Sequence, residues 1–191
     1  TAASVTEDAG QVVGGTSTET GTETGTGTTV TGGDLTVALA ANTPASGYVF
    51  KGSTHNAFTK LSFTAGAKDV TINSMTVQRK GSPASDSAIA GINVLKNDGS
   101  LLSSAYKTLN SDHQVMFTED VVVLANTTIT LTLVGKIDTG TSYGGEVPKL
   151  ALVALDTNGA VTANLPIEGN AMTINKTITI GVAAITESPN L

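Results

Sequence analysis

The stretch that decides the fold is TTITLTLVGKI, residues 127–137. Its aliphatic residues Ile129, Leu131 and Leu133 alternate with threonine, and a spacing of two places them on one face of a β-strand. Threonine and branched aliphatic residues are also the types that strands favour. The pattern predicts a strand with one buried face and one polar face.

Shorter stretches of the same kind recur on both sides of it, separated by turn residues, and nowhere does a helical period replace them. One of them, 173–182, is predicted as the final strand. The loop KGSPASDS, residues 80–87, is long enough to cross between two sheets. Irregular alternation in two stretches, 57–65 and near Asn73, predicts bulges or bends. The chain is therefore predicted to be an all-β sandwich of mostly antiparallel strands. The other predicted strands are 34–40, 48–53, 57–65, 70–79, 88–96, 101–109, 115–120, 121–125, 149–156 and 160–164.

The composition of the chain argues against several classes of partner. The chain has 191 residues, a net charge of −6, no cysteine and only 4% aromatic residues. No basic stripe is present, which argues against nucleic acid and anionic membranes as partners. The longest apolar run, LALVAL at 150–155, is too short to cross a membrane, so no membrane insertion is expected. The Thr/Gly/Ser bias without cysteine predicts an exported protein of the cell surface, and the initial Thr1 suggests a mature form or an excised fragment.

Residues 1–33 differ from the rest and are predicted to be an extended N-terminal arm ahead of one sandwich domain at 34–191. The arm carries the acids Glu7, Asp8, Glu19 and Glu23, and no base occurs before Lys51. Its Thr/Gly/Glu run has too little apolar surface to fold alone, so we expect it to be flexible unless another surface accepts it.

No pattern of catalytic residues survives inspection, and the chain is predicted not to be an enzyme and to need no cofactor or metal. Asp138-Thr139-Gly140-Thr141-Ser142 matches an aspartic-protease pattern, but that chemistry needs a second such carboxylate and the chain has none. We therefore interpret it as a loop. The isolated His55 and His113 are expected at the surface.

Two other short patterns are interpreted as turns. Leu165-Pro166-Ile167-Glu168-Gly169 resembles a sortase sorting signal but has Glu where Thr is required, so we predict a turn between strands. Acidic and amide residues could offer oxygens to calcium, but their spacing is not that of a calcium loop. Those residues are Asp86, Asn97, Asp98, Asp156 and Asn158.

Three stretches carry a family resemblance: LTVALAANTPAS at 35–46, VTINSMTVQRKGSPASDSAIAGINVL at 70–95 and GEVPKLALVALDTNGAV at 145–161. In these the chain resembles the immunoglobulin-like modules of large secreted surface proteins from bacteria of the candidate phyla. The resemblance implies an exported immunoglobulin-like β-sandwich. An arm ahead of such a domain is similar in layout to pilins that assemble by donor-strand exchange.

The expected function is a structural subunit of an extracellular filament or surface array. An arm from one copy would add a strand to the next copy, which makes a homopolymer. The predicted groove plugs are Val5, Val12, Val13 and Val30. If the arm is only a linker, the final strand, with Ile178 and Ile180, is the other candidate donor.

The alternative expectation is an adhesin or carbohydrate-binding module on a Thr-rich stalk that could carry O-glycans. Sugar sites usually use exposed aromatic rings, and Tyr48, Tyr106 and Tyr143 are the available tyrosines.

Overall fold

The computed structural model describes residues 33–178, and the strand predicted from TTITLTLVGKI lies inside its first sheet. Sheet 1 has the order β10-β1-β3-β8-β5. All its neighbours are antiparallel except β1 and β10, which run parallel. Its strands are β1 (Leu35–Leu39), β3 (Asn56–Ala65), β5 (Ile89–Leu95), β8 (Thr128–Ile137) and β10 (Val161–Ala163).

Sheet 2 is built on β4, which pairs with β9 along one edge and with β6 and β7 along the other. The order is β11-β9-β4, followed by β6 and β7 side by side on the same edge of β4. These strands are β4 (Val70–Lys80), β6 (Gln114–Phe117), β7 (Val121–Val123), β9 (Lys149–Thr157) and β11 (Ile167–Glu168). A parallel pair, β2 (Gly47–Phe50) with β12 (Met172–Asn175), completes the strands of the described range.

The two sheets enclose one hydrophobic core of aliphatic residues and a few phenylalanines. Leu131 and Leu133 of β8 face it as predicted, and Thr59 of β3 links the sheets by donating its hydroxyl to the Leu150 carbonyl at 2.6 Å. The predicted all-β sandwich of mostly antiparallel strands is therefore confirmed. The largest side chains that are almost fully buried include Phe58, Phe63, Phe117, Leu35, Leu61, Ile72 and Met75.

The irregularities predicted from the alternation are also present. The register shifts between Ala57 and Thr59 in β3, and between Ile72 and Ser74 in β4. The 81–88 connection, which includes a single 3-10 turn at Asp86–Ala88, carries the chain from β4 in sheet 2 to β5 in sheet 1. The predicted crossing loop therefore does cross between sheets.

The structure corrects two strand predictions and one turn prediction. Residues 101–109 form no strand of their own, and their backbone pairs with β5 only through isolated bridges. Leu165–Gly169 is not only a turn, because Ile167 and Glu168 pair with β9 as β11. In the described part of the strand predicted at 173–182, β12 ends at Asn175, whose side-chain oxygen accepts hydrogen bonds from the backbone N–H groups of Thr177 and Ile178. Residues 179–182 lie outside the described range.

The described chain enters and leaves the sandwich at opposite ends. At the entry end, the Gly33 N–H donates to the Asp69 carbonyl and the Leu35 N–H to the Ala160 carbonyl. At the exit end, β12 runs beside β2, and the Asn175 carbonyl accepts from the Lys51 N–H. β3 connects the two ends, and its ten residues extend for about 33 Å.

The strand order bears on the predicted immunoglobulin-like subclass. In sheet 1, β1-β3-β8-β5 follows the order ABED, and in sheet 2, β4-β9-β11 follows CFG. The strands β6 and β7, inserted between β5 and β8, have no place in that seven-strand order. The immunoglobulin-like assignment therefore stays a prediction.

Candidate functional site

The candidate site is an opening on one side of the sandwich, where the chain passes from sheet 1 to sheet 2. β10 ends at Ala163, and β11 begins at Ile167 in the opposite sheet. Within residues 33–178, the β1 edge that β10 covers has no strand partner beyond Val37. In the same range, the β9 edge that β11 covers has no strand partner from Val153 onward. Unpaired strand edges of this kind can accept an added strand.

A groove of about 320 Å³ lies at this opening and has an apolar floor. Leu39 continues the alternation of Leu35 and Val37, which are buried, yet 45% of its surface is exposed because the sandwich is open beside it. Leu165 and Val161, both 38% exposed, lie on neighbouring parts of the same side. We call this surface the lateral groove, and its lining residues are Val37, Ala38, Leu39, Asn164, Pro166, Ile167 and Glu168.

Two features hold the rim of the lateral groove in place. Gly169 lies so close to β3 that a Cβ at this position would overlap the Thr59 side chain and the Phe58 carbonyl, so only glycine allows β11 to lie there. The Asn170 side-chain amide donates to the Pro44 carbonyl at 2.7 Å and closes the groove toward the exit end.

The one carboxylate on the rim has two ion-pair partners within the protein. The Lys80 ammonium lies 2.8 Å from one carboxylate oxygen of Glu168, and the Lys149 ammonium lies 3.8 Å from the other. The hydrogen bond from Lys80 lowers the pKa of Glu168, although partial burial opposes the shift. The groove therefore presents apolar surface beside a neutralised acid.

The opposite side of the sandwich is closed differently. Residues 101–107, which we call the strap, cover the outer edge of β5, and the Leu102 N–H donates to the Val94 carbonyl at 2.7 Å. Fully buried Asn93 holds the strap by donating its amide to the carbonyls of Ser103 and Ala105. Gly91 permits the close approach, because a Cβ there would lie 2.7 Å from the Cβ of Tyr106. The β5 edge is therefore not an acceptor.

The β6 edge is partly blocked by a cation. The Lys107 ammonium donates to the Met116 carbonyl at 3.2 Å and lies 3.1 Å from Glu119. Lysine at an edge strand is a common device against unwanted pairing. Exposed apolar side chains remain on this side, at Met116, Val122 and Leu124.

Most of the predicted assembly residues lie outside the described residues: Val5, Val12, Val13, Val30 and Ile180. Ile178 is described, and it lies beyond β12 as a half-exposed residue rather than within a strand. The lateral groove itself was not predicted, because alternation along one strand does not reveal which of its edges lacks a partner.

The aspartates that matched catalytic or calcium-binding patterns bind other groups of the protein. Asp138 follows β8, and its carboxylate accepts from the Gly140 N–H at 2.7 Å, so the protease-like pattern is a loop as predicted. Asp98 accepts from the N–H and the hydroxyl of Ser100, and these hydrogen bonds lower its pKa. Asp156 accepts from the Asn73 amide at 3.0 Å.

One cluster was missed by the sequence analysis. Asp86 binds buried Arg79 through one carboxylate oxygen and His113 through the other, each at 2.6 Å. Burial alone would raise the pKa of Asp86, but hydrogen bonds from His113 and Arg79 outweigh it and hold the pKa below the ordinary value of 3.8. The cluster fastens the 81–88 connection to β4 and to the turn before β6. His113 is exposed as expected, but it is not isolated.

The tyrosines do not form one exposed surface. Tyr48 is largely exposed on β2, whereas Tyr143 packs against the core. Tyr106 accepts a hydrogen bond from the His55 N–H, and burial raises the pKa of its phenol. Within residues 33–178, no three His, Cys, Asp or Glu side chains come together as metal ligands. The same range contains no helix of the length and hydrophobicity needed to span a membrane.

No protein-family model and no curated protein sequence matches the chain. Two solved structures are similar to it at 11% sequence identity. One is a family 123 glycoside hydrolase from Clostridium perfringens, with a TM-score of 0.38 over 76% of this chain and 28% of the other. The second is the sporulation control protein Spo0M from Bacillus subtilis, with a TM-score of 0.32 over 75% of this chain and 49% of the other. The chain thus spans from about a quarter to about half of these proteins, and neither likeness carries an argument about function.

Proposed function

We propose that this chain is a structural subunit of an extracellular filament or surface array, and that its copies join head to tail by strand addition. The donor is the arm, residues 1–33, of a neighbouring copy, and the acceptor is the lateral groove. The observation that carries the proposal is the placement of entry and exit at opposite ends of the sandwich. An arm that precedes one end can reach the next copy while the two domains lie in line.

The geometry of the groove supports an extended occupant. Within the groove, β1 is uncovered at Ala38 and Leu39, opposite Ile167 of β11, so a short added strand can form backbone hydrogen bonds with that end of β1. Aliphatic side chains on one face of that strand would cover Leu39 and Leu165. Each valine that is buried fully contributes on the order of 1.5–3 kcal/mol. Val12 and Val13 are adjacent, so only one of them can face the groove in a given register.

The same-chain arm is the competing occupant. Its last residue, Gly33, lies two residues before β1, but β10 already covers the first part of the β1 edge, from Leu35 to Val37. A hairpin folded directly onto β1 is therefore blocked. A neighbouring copy meets no such obstacle, and donation that does not close on itself produces a fibre.

The test compares the full chain with a variant in which Val5, Val12 and Val13 are changed to Ser. A matched control changes Ala2, Ala3 and Ala9 to Ser in the same segment. Negative-stain electron microscopy and sedimentation should show fibres for the wild type and the alanine control, and monomers for the valine variant. If all three chains remain monomeric and equally stable, the arm is not a donor, and an adhesin on a stalk becomes the better description.

A further inference from the structure

A second surface, on the outer face of sheet 1, has a different chemistry. It is a cleft of about 380 Å³ whose floor lies on β3, β8 and β5. No Asp or Glu is among its lining residues, and it holds two lysines. We call it the lysine cleft; its polar lining consists of Asn42, Lys60, Lys96, Asn97, Thr130 and Thr132.

Two turns form the walls of the lysine cleft, and hydrogen bonds fix both of them. Beside Asn42, the Thr43 hydroxyl donates to the Lys60 carbonyl at 2.9 Å and accepts from the Lys60 N–H at 3.1 Å. On the other side, the Lys96 N–H donates to the Ser100 carbonyl at 2.8 Å and closes the turn that presents Asn97. The walls are therefore positioned without a ligand.

The two lysines are available to an anion. Neither Lys60 nor Lys96 has an ion-pair partner within the described part of the chain, unlike Lys80, Lys107 and Lys149. The nearest acid on the same turn, Asp98, has its carboxylate bound to Ser100. Lys60 and Leu95 lie on either side of Thr132 in the sheet, so Lys60 of β3 and the end of β5, which Lys96 follows directly, are about 10 Å apart.

The chain itself contains a segment of complementary charge. In TSTETGTETGTGTTVTGG, residues 16–33, Glu19 and Glu23 are four residues apart and no base is present. In an extended chain these two glutamates share a face and lie about 13 Å apart, which is close to the separation of β3 and the end of β5. Between them, threonine hydroxyls and backbone amides can bond Asn42, Asn97 and the threonines of the floor.

We infer that the lysine cleft binds the Glu19–Glu23 segment of a neighbouring copy's arm and so fixes the register of each junction. This inference rests on the proposed function and names a second contact for the same arm. From Glu23 to Gly33 the chain can extend about 33 Å. Lys60 lies four residues from Asn56 at the exit end of β3, about 13 Å. A copy whose entry end meets this exit end can therefore reach the cleft.

The site is tested first with a labelled peptide of residues 16–33 and the full chain, by fluorescence anisotropy. Changing Lys60 and Lys96 to Glu should weaken binding about tenfold, and added salt should weaken it as well. The peptide with Glu19 and Glu23 changed to Lys should show the reverse preference. A matched control with Lys68→Glu and Lys136→Glu, both exposed and outside the cleft, should bind the original peptide like the wild type.

The source of the segment is tested by mixing two full-length variants, one with the lysine cleft reversed to Glu and one with Glu19 and Glu23 reversed to Lys. Each alone should assemble about tenfold less readily than the wild type, and the mixture should recover, because each arm then meets a complementary cleft on the other copy. If only the combined fourfold variant recovers, the arm binds its own domain and the inference is wrong.

Three further results distinguish a failure of the cleft from a failure of the filament. Peptide binding that ignores both charge reversals overturns the inference even if the wild type forms fibres. Loss of polygalacturonate binding in the cleft variant, with unchanged peptide binding and assembly, would make the cleft a site for acidic polysaccharide instead. Charge-dependent peptide binding by a wild-type chain that forms no fibres supports the cleft and contradicts the filament.

Discussion

At the scale of single residues, the Arg79–Asp86–His113 cluster shows how one carboxylate can hold three segments together. Arg79 is 8% exposed, so its guanidinium depends on Asp86 and on the Ala84 carbonyl for partners. Removing one partner of a buried charge costs more than the pair itself contributes, because the remaining charge stays desolvated. Asp86 is therefore a structural residue whose role sequence reasoning did not find.

We expect Asp86→Asn to lower the free energy of unfolding by about 2 kcal/mol at neutral pH. Asp112→Asn changes a neighbouring exposed acid and should alter it by less than about 0.5 kcal/mol. Urea denaturation at pH 7 measures both. An Asp86→Asn variant as stable as the control would show that water replaces the carboxylate without cost.

The stability lost in Asp86→Asn should depend on pH in one direction. The pKa of Asp86 in the folded protein lies below its unfolded value, so the group stabilises the fold above about pH 4 and loses this contribution as the pH falls through the lowered pKa. The stability difference between wild type and Asp86→Asn should therefore shrink below about pH 4. A constant difference down to pH 2 would contradict the assignment.

At the scale of the elements, the strap decides which side of the sandwich is closed. Asn93 is fully buried, and its amide group bonds both to the strap and to its own strand. Without it, the carbonyls of Ser103 and Ala105 would lose a donor, and the outer edge of β5 would be open to other strands.

Asn93→Ala is expected to destabilise the protein by about 2–3 kcal/mol and to cause aggregation of the folded protein. Ser104→Ala, an exposed change in the strap itself, is the matched control. Thermal unfolding reports the stability, and light scattering below the transition reports the aggregation. A destabilised Asn93→Ala that stays monomeric would mean that the strap does not protect the edge.

The strands were largely predictable, and their partners were not. We predicted β8, β4 and β3 correctly because each has one buried face. The irregular alternation near Asn73 and in 57–65 also corresponds to register shifts in the sheets. The strap was mistaken for a strand because its apolar residues pack on the core without a continuous ladder. β11 was missed because a strand of two residues has no periodicity of its own, and it is defined only by its pairing with β9.

The candidate site was less accessible to sequence reasoning than the fold. The lateral groove arises because β10 ends before β11 begins in the other sheet, and such a gap depends on long-range pairing. The arm stays a prediction from composition, and the residues predicted for its contact, Val5, Val12, Val13 and Val30, lie outside residues 33–178.

At the scale of the whole molecule, the proposed filament requires the arm of one copy to lie in the lateral groove of another. The chain contains no cysteine, so every disulfide must join introduced thiols, and the single-cysteine variants show how much pairing of like with like occurs. The measurement uses the full chain with Leu39→Cys combined with either Val12→Cys or Val13→Cys. Because adjacent residues of a strand point to opposite faces, one of the two pairs should cross-link and the other should not.

The readout is a non-reducing gel of each variant after mild oxidation under assembly conditions. We predict a ladder of covalent dimers, trimers and longer species from one pair, and its absence when Leu124→Cys, on the opposite side of the sandwich, replaces Leu39→Cys. Covalent species confined to cross-linked monomers, or no cross-link from either pair in a sample that forms fibres, would contradict strand addition at the lateral groove.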